Sequence, residues 1–259
     1  MDIHKPKAAH SWREFLIEIG TIICGILIAL GLEQGVEVIH WREKVEDGRR
    51  ALAADFVDIA ADARERVELD ACLRRRLSEV VTTLNRSHGA LPAVGYLGSP
   101  PGRAWYPASW DSLVATGTST HLPRKELLSF SAIAQDARTM QDEVKQELLD
   151  WSAIYAVVGP GRTLEPGEAA GIRRSVQEAL FHLNDIRLAA AQIEFRVRQS
   201  GLLEGAEQRQ VDQTLSSRRG GANWKATCGP IAAPSDRIVD APYDPSNQTE
   251  PTKRLSTLR

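Results

Sequence analysis

The sequence contains few cysteines and no excess of positive charge, and each shortage excludes a class of protein. Three cysteines, Cys24, Cys72 and Cys228, are too few for a disulfide-rich scaffold or a four-cysteine zinc site. The formal net charge is −2, whereas a domain that binds nucleic acid normally carries a clear basic excess. We therefore expect no nucleic-acid partner.

Motifs that carry catalytic chemistry are also missing. The sequence has no H-E-x-x-H, no G-x-S-x-G, no Walker loop and no C-x-x-C. The glycines at 159 and 161 flank a proline and are followed by no lysine–serine pair, so they indicate a helix break. The six histidines are scattered, and none has a second ligand type at metal spacing. We expect no enzyme activity, no cofactor and no metal, and a partly exposed helix position for His182.

An apolar run without charge, residues 19–32, lies near the N-terminus. Extended back to residue 15 it admits only Glu18 and spans about 27 Å as a helix, close to the ~30 Å hydrocarbon core of a bilayer. Trp12 and Trp41 flank it about 43 Å apart, which matches a bilayer with its interfaces. The run predicts a transmembrane anchor helix over residues 15–41, after a short tail over residues 1–14.

A cleaved signal peptide is the alternative interpretation of this run. It requires a small-x-small cleavage site after the apolar residues, whereas the chain continues as charged, helical GLEQGVEVIHWREK. Cations lie on both flanks, so their count does not decide the orientation. Because a short tail with three cations resists translocation, we expect a cytoplasmic N-terminus and the main domain on the other side of the membrane.

One face of the anchor carries Gly25 and Ala29, a small-x-x-x-small step. Such a step lets transmembrane helices approach closely, so the face is a candidate for homo-oligomerisation. The alternative is that the small residues are incidental.

Seven-residue apolar repeats predict an all-α fold in which the anchor continues into an antiparallel bundle of long helices over residues 42–216. The first helix is expected to end near His88 and Gly89, and proline-rich residues 89–108 form the main linker. Two more helices are predicted over about 124–158 and 166–200. After Ser216 the chain turns polar, so we expect residues 217–259 to be irregular or disordered.

Two further patterns are open to two interpretations each. Trp105, Tyr106 and Trp110 lie in or beside the linker and either plug the end of the bundle or line a small-ligand pocket. Arg66 and Asp70 interrupt the first repeat at i, i+4 spacing. They form either an exposed pair or a polar insert that fixes helix register. The arginines at 74–76 and 173–174 are expected on solvated helix faces, and the alternative is that they face anionic lipid or a partner.

Cys72 and Cys228 are candidates for a disulfide. With Cys24 inside the anchor, only these two remain to pair if the domain lies in an oxidising compartment. Cys228 lies in a short apolar and aromatic patch, ANWKATCGPI, within a polar tail, and a bond to the bundle would hold that patch. The alternative is two unrelated buried or free cysteines.

Residues 12–34, WREFLIEIGTIICGILIALGLEQ, resemble the N-terminal block WREFLxExGxIxxGxLIALxxEQ of a group of uncharacterised bacterial single-span membrane proteins. Residues 110–123, WDSLVATGTSTHLP, look like a second block of that group. The resemblance implies a bacterial inner-membrane protein, and the group supplies no catalytic residue to transfer.

These observations lead to a ranking of functions. The leading hypothesis is a membrane-anchored interaction or scaffold protein, whose partners are the lipid bilayer and an unidentified protein. The alternative is a ligand-sensing ectodomain that signals through a partner, since a bundle joined to a membrane helix can transmit small shifts. An enzyme comes third.

Overall fold

The structure is a computed structural model that describes residues 12–231. Its dominant element is α1, Trp12–Ser87, a single helix of 76 residues and therefore about 114 Å long. The helix ends where His88 and Gly89 take positive φ angles of 44° and 92°, a conformation that glycine adopts readily at a helix C-terminus. The expectation that the apolar N-terminal helix runs without a break into the first bundle helix is confirmed.

Five shorter helices, two 3₁₀ turns and two very short strands follow. In chain order they are β1 (Ala90–Leu91), α2 (Ala108–Ala115), a 3₁₀ turn (Thr118–His121), α3 (Arg124–Ile154), a 3₁₀ turn (Tyr155–Val157), β2 (Arg162–Thr163), α4 (Pro166–Gln199), α5 (Ala206–Arg219) and α6 (Ala222–Cys228).

Helices α1, α3 and α4 form the body of the domain. Ion pairs from Arg64 to Glu194 and from Asp70 to Arg187 show that α4 runs antiparallel to α1, because residue numbers fall along α4 as they rise along α1. One apolar row of α4 is completely buried, as its steps of three and four residues predict. Its members are Ile172, Val176, Ala179, Leu183, Ile186, Ala190, Ile193 and Val197. The all-α fold class is confirmed.

The end of the domain far from the N-terminus is closed by a two-stranded antiparallel ladder. β1 pairs with β2, with Ala90 opposite Thr163 and Leu91 opposite Arg162. A Cβ at Gly161 would lie 3.3 Å from the carbonyl oxygen of Leu91, so the residue at this position must be small for the two loops to meet. Two-residue strands leave no periodic pattern, so the sequence did not predict them.

The predicted irregular tail begins later than expected. Helix α5 extends to Arg219 and α6 covers Ala222–Cys228, so the interpretation of residues 217–228 as irregular is wrong. Only Val211 and Leu215 of α5 are buried apolar residues, which is too short a row to reveal a helix in so polar a sequence. Residues 1–11 and 232–259, which make up most of the two predicted tails, lie outside the described residues.

Candidate functional site

The N-terminal part of α1 is exposed on all sides. It contains an 18-residue stretch that is long and apolar enough to cross a membrane, and none of that stretch is buried. A helix that is apolar all round needs an apolar environment, either a large protein core or a bilayer. The exposed large apolar residues of this part are Trp12, Phe15, Leu16, Ile17, Ile19, Ile22, Ile23, Ile26, Leu27, Ile28, Leu30, Leu32, Val36, Val38 and Ile39.

Gly25 and Ala29 lie within this exposed stretch. A Cβ built on Gly25 meets nothing within 4 Å in the part of the chain that the structure describes. The face is therefore open, and whether a second helix packs on it stays a prediction.

Where the exposed stretch meets the bundle, α1 borders a groove of about 1140 Å³. Trp41 stacks on His121, with ring centroids 3.8 Å apart and ring planes 14° from parallel. Val38 and Val45 supply apolar walls, and Pro123 lies beside His121. The groove thus lies between Trp41, which the sequence places at a membrane interface, and the segment that connects α2 to α3.

The three linker aromatics do not share one environment. Trp105 is completely buried and Trp110 is nearly so, and both belong to the core cluster that contains Phe56 and Phe130. The backbone N–H of Trp105 donates to Gln141 Oε1 at 2.8 Å. Tyr106, by contrast, is 61% exposed. The two tryptophans fill the core, as the plug interpretation expects, and the three rings do not line a common pocket.

Four charged side chains form a buried network that joins α1 to the linker and to α5. Arg103 donates to Glu65 through Nε at 2.9 Å and Nη2 at 3.0 Å. Arg218 Nη1 lies 2.6 Å from Asp62 Oδ1 and 3.2 Å from Glu65 Oε2. All four residues are at most 6% exposed. We refer to Asp62, Glu65, Arg103 and Arg218 as the charge network.

Burial raises the pKa of Asp62 to about 7, a shift that Arg218 opposes and Glu65 reinforces. Arg103 also favours the charged form. The network is therefore held in place by two guanidinium groups, and one of its carboxyls titrates near neutral pH. The sequence showed no sign of it, because its members come from three elements and occupy unremarkable polar positions.

The interruption of the first repeat is a buried ion pair with a different partner from the predicted one. Arg66 Nη2 donates to both carboxylate oxygens of Glu147 on α3 at 2.6 Å, and both side chains are fully buried. Asp70 pairs instead with Arg74 at 2.9 Å. The predicted Arg66–Asp70 pair is thus wrong. Arg66 is thus a polar insert in the first repeat, and its partner lies on another helix. The sequence could not indicate this partner, because spacing along the chain reveals only pairs on the same helix.

Burial raises the pKa of Glu147, and Arg66 opposes that shift. Nearby, His182 lies at a half-buried helix position with Nδ1 at 2.8 Å from Glu143 Oε2 and Nε2 at 3.8 Å from Asp150 Oδ2. Burial raises the pKa of Asp150, and His182 opposes it. No group of three or more metal-ligating side chains occurs within residues 12–231.

Cys72 and Cys228 are joined by a disulfide, the pair that the sequence indicated. The bond attaches α6 to α1, and Arg76 strengthens the attachment by donating to the carbonyl oxygens of Ala226 at 3.1 Å and Gly229 at 2.7 Å. Arg76 is fully buried, so the expectation of a solvated face is wrong at this position. The physical reason is that the carbonyl oxygens of Ala226, Thr227 and Gly229 at the end of α6 accept hydrogen bonds from the buried guanidinium group.

Comparison of this chain with known protein families, with curated proteins and with solved structures finds no match. The resemblance of residues 12–34 and 110–123 to bacterial single-span proteins therefore stays a prediction.

Proposed function

We propose that this chain is a membrane-anchored helical interaction protein, with α1 inserted in the bilayer and the bundle held at its surface. The observation that carries the proposal is the continuity of α1. One helix exposes apolar side chains on every side in its first part and buries an apolar row in the bundle in its second part. An uninterrupted helix of this kind would limit the distance and direction of the bundle relative to the membrane.

The proposed location is the bacterial inner membrane, with the N-terminus in the cytoplasm and the bundle in the periplasm. The resemblance of the anchor to bacterial single-span proteins supports the membrane. The disulfide between Cys72 and Cys228 supports the orientation, because disulfides persist in the periplasm and are rare in the cytosol.

Alkaline extraction of membranes that contain the full-length chain tests the anchor. The protein should stay in the membrane pellet, whereas Ile23→Arg combined with Ile26→Arg should release it, since each central arginine disfavours insertion by about 2.5–3.5 kcal/mol. The matched control is Thr82→Arg, at an exposed position of the same helix, which should leave the protein in the pellet. Release of the unchanged chain by alkali would contradict the proposal.

Affinity purification of the full-length chain in mild detergent tests the interaction role. A protein partner recovered in stoichiometric amount supports it. Recovery of the chain alone, from membranes in which it has been crosslinked beforehand, argues against it.

A ligand-sensing role is the second candidate, and the groove beside Trp41 and His121 favours it. A ligand there would touch both α1 at the membrane surface and the segment that precedes α3. A small molecule that co-purifies with the chain, and that is lost on His121→Ala, would favour sensing over the interaction role.

A further inference from the structure

Helix α4 carries a second row of apolar residues on the side opposite its buried one. Phe181, Leu188 and Phe195 are 64%, 53% and 59% exposed and are spaced seven residues apart. Single exposed apolar residues are ordinary, but an aligned group of large ones marks an interaction surface. Nothing within residues 12–231 covers them. We call Phe181, Asn184, Leu188, Ala191 and Phe195 the outer row.

The spacing of the outer row is that of a coiled-coil seam. Asn184 and Ala191 are also exposed, and together the five residues follow steps of three, four, three and four. When Phe181, Leu188 and Phe195 take heptad position a, Asn184 and Ala191 take position d. The buried row then falls at positions c and f, on the far side of the helix, so α4 can pack in the bundle and against a further helix at once.

The direction of α4 decides how two copies would meet, and this step rests on the proposed membrane anchor. Contacts from Arg64 to Glu194 and from Asn85 to Arg173 show that α4 lies along α1 in the opposite sense. Two chains inserted the same way in one bilayer therefore present their α4 helices parallel to each other. Each residue of the row then meets the same residue of the other copy.

The outer row is complementary to itself in this arrangement. Phe181, Leu188 and Phe195 each pack on an apolar equivalent. The amide of Asn184 both donates and accepts hydrogen bonds, so it can pair with its own copy, as buried asparagines do in coiled coils.

Charges beside the row also allow parallel pairing. Beside the outer row, the flanking g and e positions place no like charges opposite each other; the pairs are Leu180 with Asp185, Arg187 with Gln192, and Glu194 with Gln199. Beyond each end of the row, the same register brings Arg174 to position a and Arg198 to position d, so the seam is limited to residues 181–195.

We propose that α4 binds α4 of a second copy of this chain through the outer row, forming a parallel two-helix coiled coil that stands on the membrane. Anchoring aids a short interface of this kind, because confinement in one bilayer raises the effective concentration of the second copy.

Cysteine crosslinking of the full-length chain in its membranes tests the proposal. In a Cys24→Ser background, single changes Phe181→Cys, Leu188→Cys and Phe195→Cys are treated with a short bis-maleimide. Each should give a product of twice the chain mass. The matched control is Leu149→Cys on α3, which is 63% exposed and lies outside the row; its yield should be at least about tenfold lower.

Other outcomes reject the proposal in distinct ways. Equal yields at Leu149 and in the row indicate random collision. A product that forms only between Phe181→Cys and Phe195→Cys chains indicates antiparallel pairing. A product of any other mass indicates a different protein on the row. Alkaline extraction of the same membranes separates these results from failure of the anchor, because a chain that resists extraction but gives no crosslink refutes only the coiled coil.

A second variant keeps the test independent of folding. Leu188→Glu in the Phe181→Cys chain should lower the crosslinking yield at least fivefold while the thermal melt of the domain stays within about 2 °C, since the side chain is exposed. An unchanged yield would overturn the proposal.

Discussion

No described side chain of residues 12–44 is buried, whereas α1 buries residues in every turn from Leu52 to Leu84. Both parts belong to one uninterrupted helix, so helix formation alone does not distinguish them. Residues 19–32 of the first part carry no charge on any side of the helix, whereas the second part is apolar on one side only. The comparison shows that the pattern of polarity around the helix, and not helix propensity, distinguishes the part that packs in the bundle from the part that does not.

The largest expected effects come from placing the same charge in each part of the molecule. Leu183→Asp puts a carboxylate at a fully packed position of α4 and should lower the free energy of unfolding by more than about 4 kcal/mol. Leu27→Asp should weaken membrane insertion by about 2.5–3.5 kcal/mol and leave bundle unfolding unchanged. Thermal melts in detergent and alkaline extraction measure the two effects separately.

Leu149→Asp is the control for this pair, because Leu149 is an exposed leucine in the bundle. Its effect on unfolding should stay within about 0.5 kcal/mol. Similar melts for Leu149→Asp and Leu183→Asp would contradict the assignment of the buried row.

The next effect concerns the buried ion pair between Arg66 and Glu147. The first part of α1 has no buried charge of this kind among its described residues. Glu147→Ala leaves Arg66 buried without its partner and should destabilise the domain by about 3–5 kcal/mol, measured by denaturant titration. Replacing both residues, as Arg66→Met with Glu147→Leu, should recover most of that loss. Glu143→Ala removes a partly exposed partner of His182 and should have an effect below about 1 kcal/mol. A double variant as unstable as Glu147→Ala would show that the pair itself stabilises the fold.

How far the sequence predicts this molecule depends on whether a feature is periodic. The long apolar helix at the N-terminus, the buried row of α4 and the end of α1 at His88 follow from patterns along one helix, and the structure agrees with each. Insertion of that apolar helix in a membrane stays a prediction. The partner of Arg66 and the charge network join residues from different elements, so no local spacing contains them. Helix α5 was not predicted for a related reason, since its only buried residues are Val211, Leu215 and Arg218.

The disulfide is another difference between the two parts of α1, because it attaches α6 to the part that packs in the bundle. Cys72→Ser with Cys228→Ser opens a loop that spans 156 positions and should lower the free energy of unfolding by about 2–5 kcal/mol. Cys24→Ser, in the anchor, should leave it unchanged. Mass spectrometry of non-reduced protein, alkylated before digestion, checks the bond itself. Full alkylation of both cysteines in protein from native membranes would contradict the bond and the proposed periplasmic location.

The smallest expected effect is a pH dependence confined to the bundle. Burial raises the pKa of Asp62 to about 7 in the folded chain, against about 3.9 in an unfolded one. Between these values the folded state binds more protons, so the contribution of Asp62 to stability is fully present below about pH 4 and is lost as the pH rises through 7. The carboxyl faces Glu65, Arg103 and Arg218, whose charges modulate this titration.

Denaturant titrations at pH 8 and pH 6 measure the effect as a difference between variants. The unchanged chain should gain about 1 kcal/mol of stability over this interval relative to Asp62→Asn, which cannot titrate. Subtracting the variant removes contributions common to both proteins, including that of Asp150, whose pKa burial also raises. Asp47→Asn, at an exposed position of the same helix, should keep the slope of the unchanged chain. If Asp62→Asn and the unchanged chain respond equally to pH, the pKa of Asp62 in the folded chain lies outside this range, which contradicts the prediction.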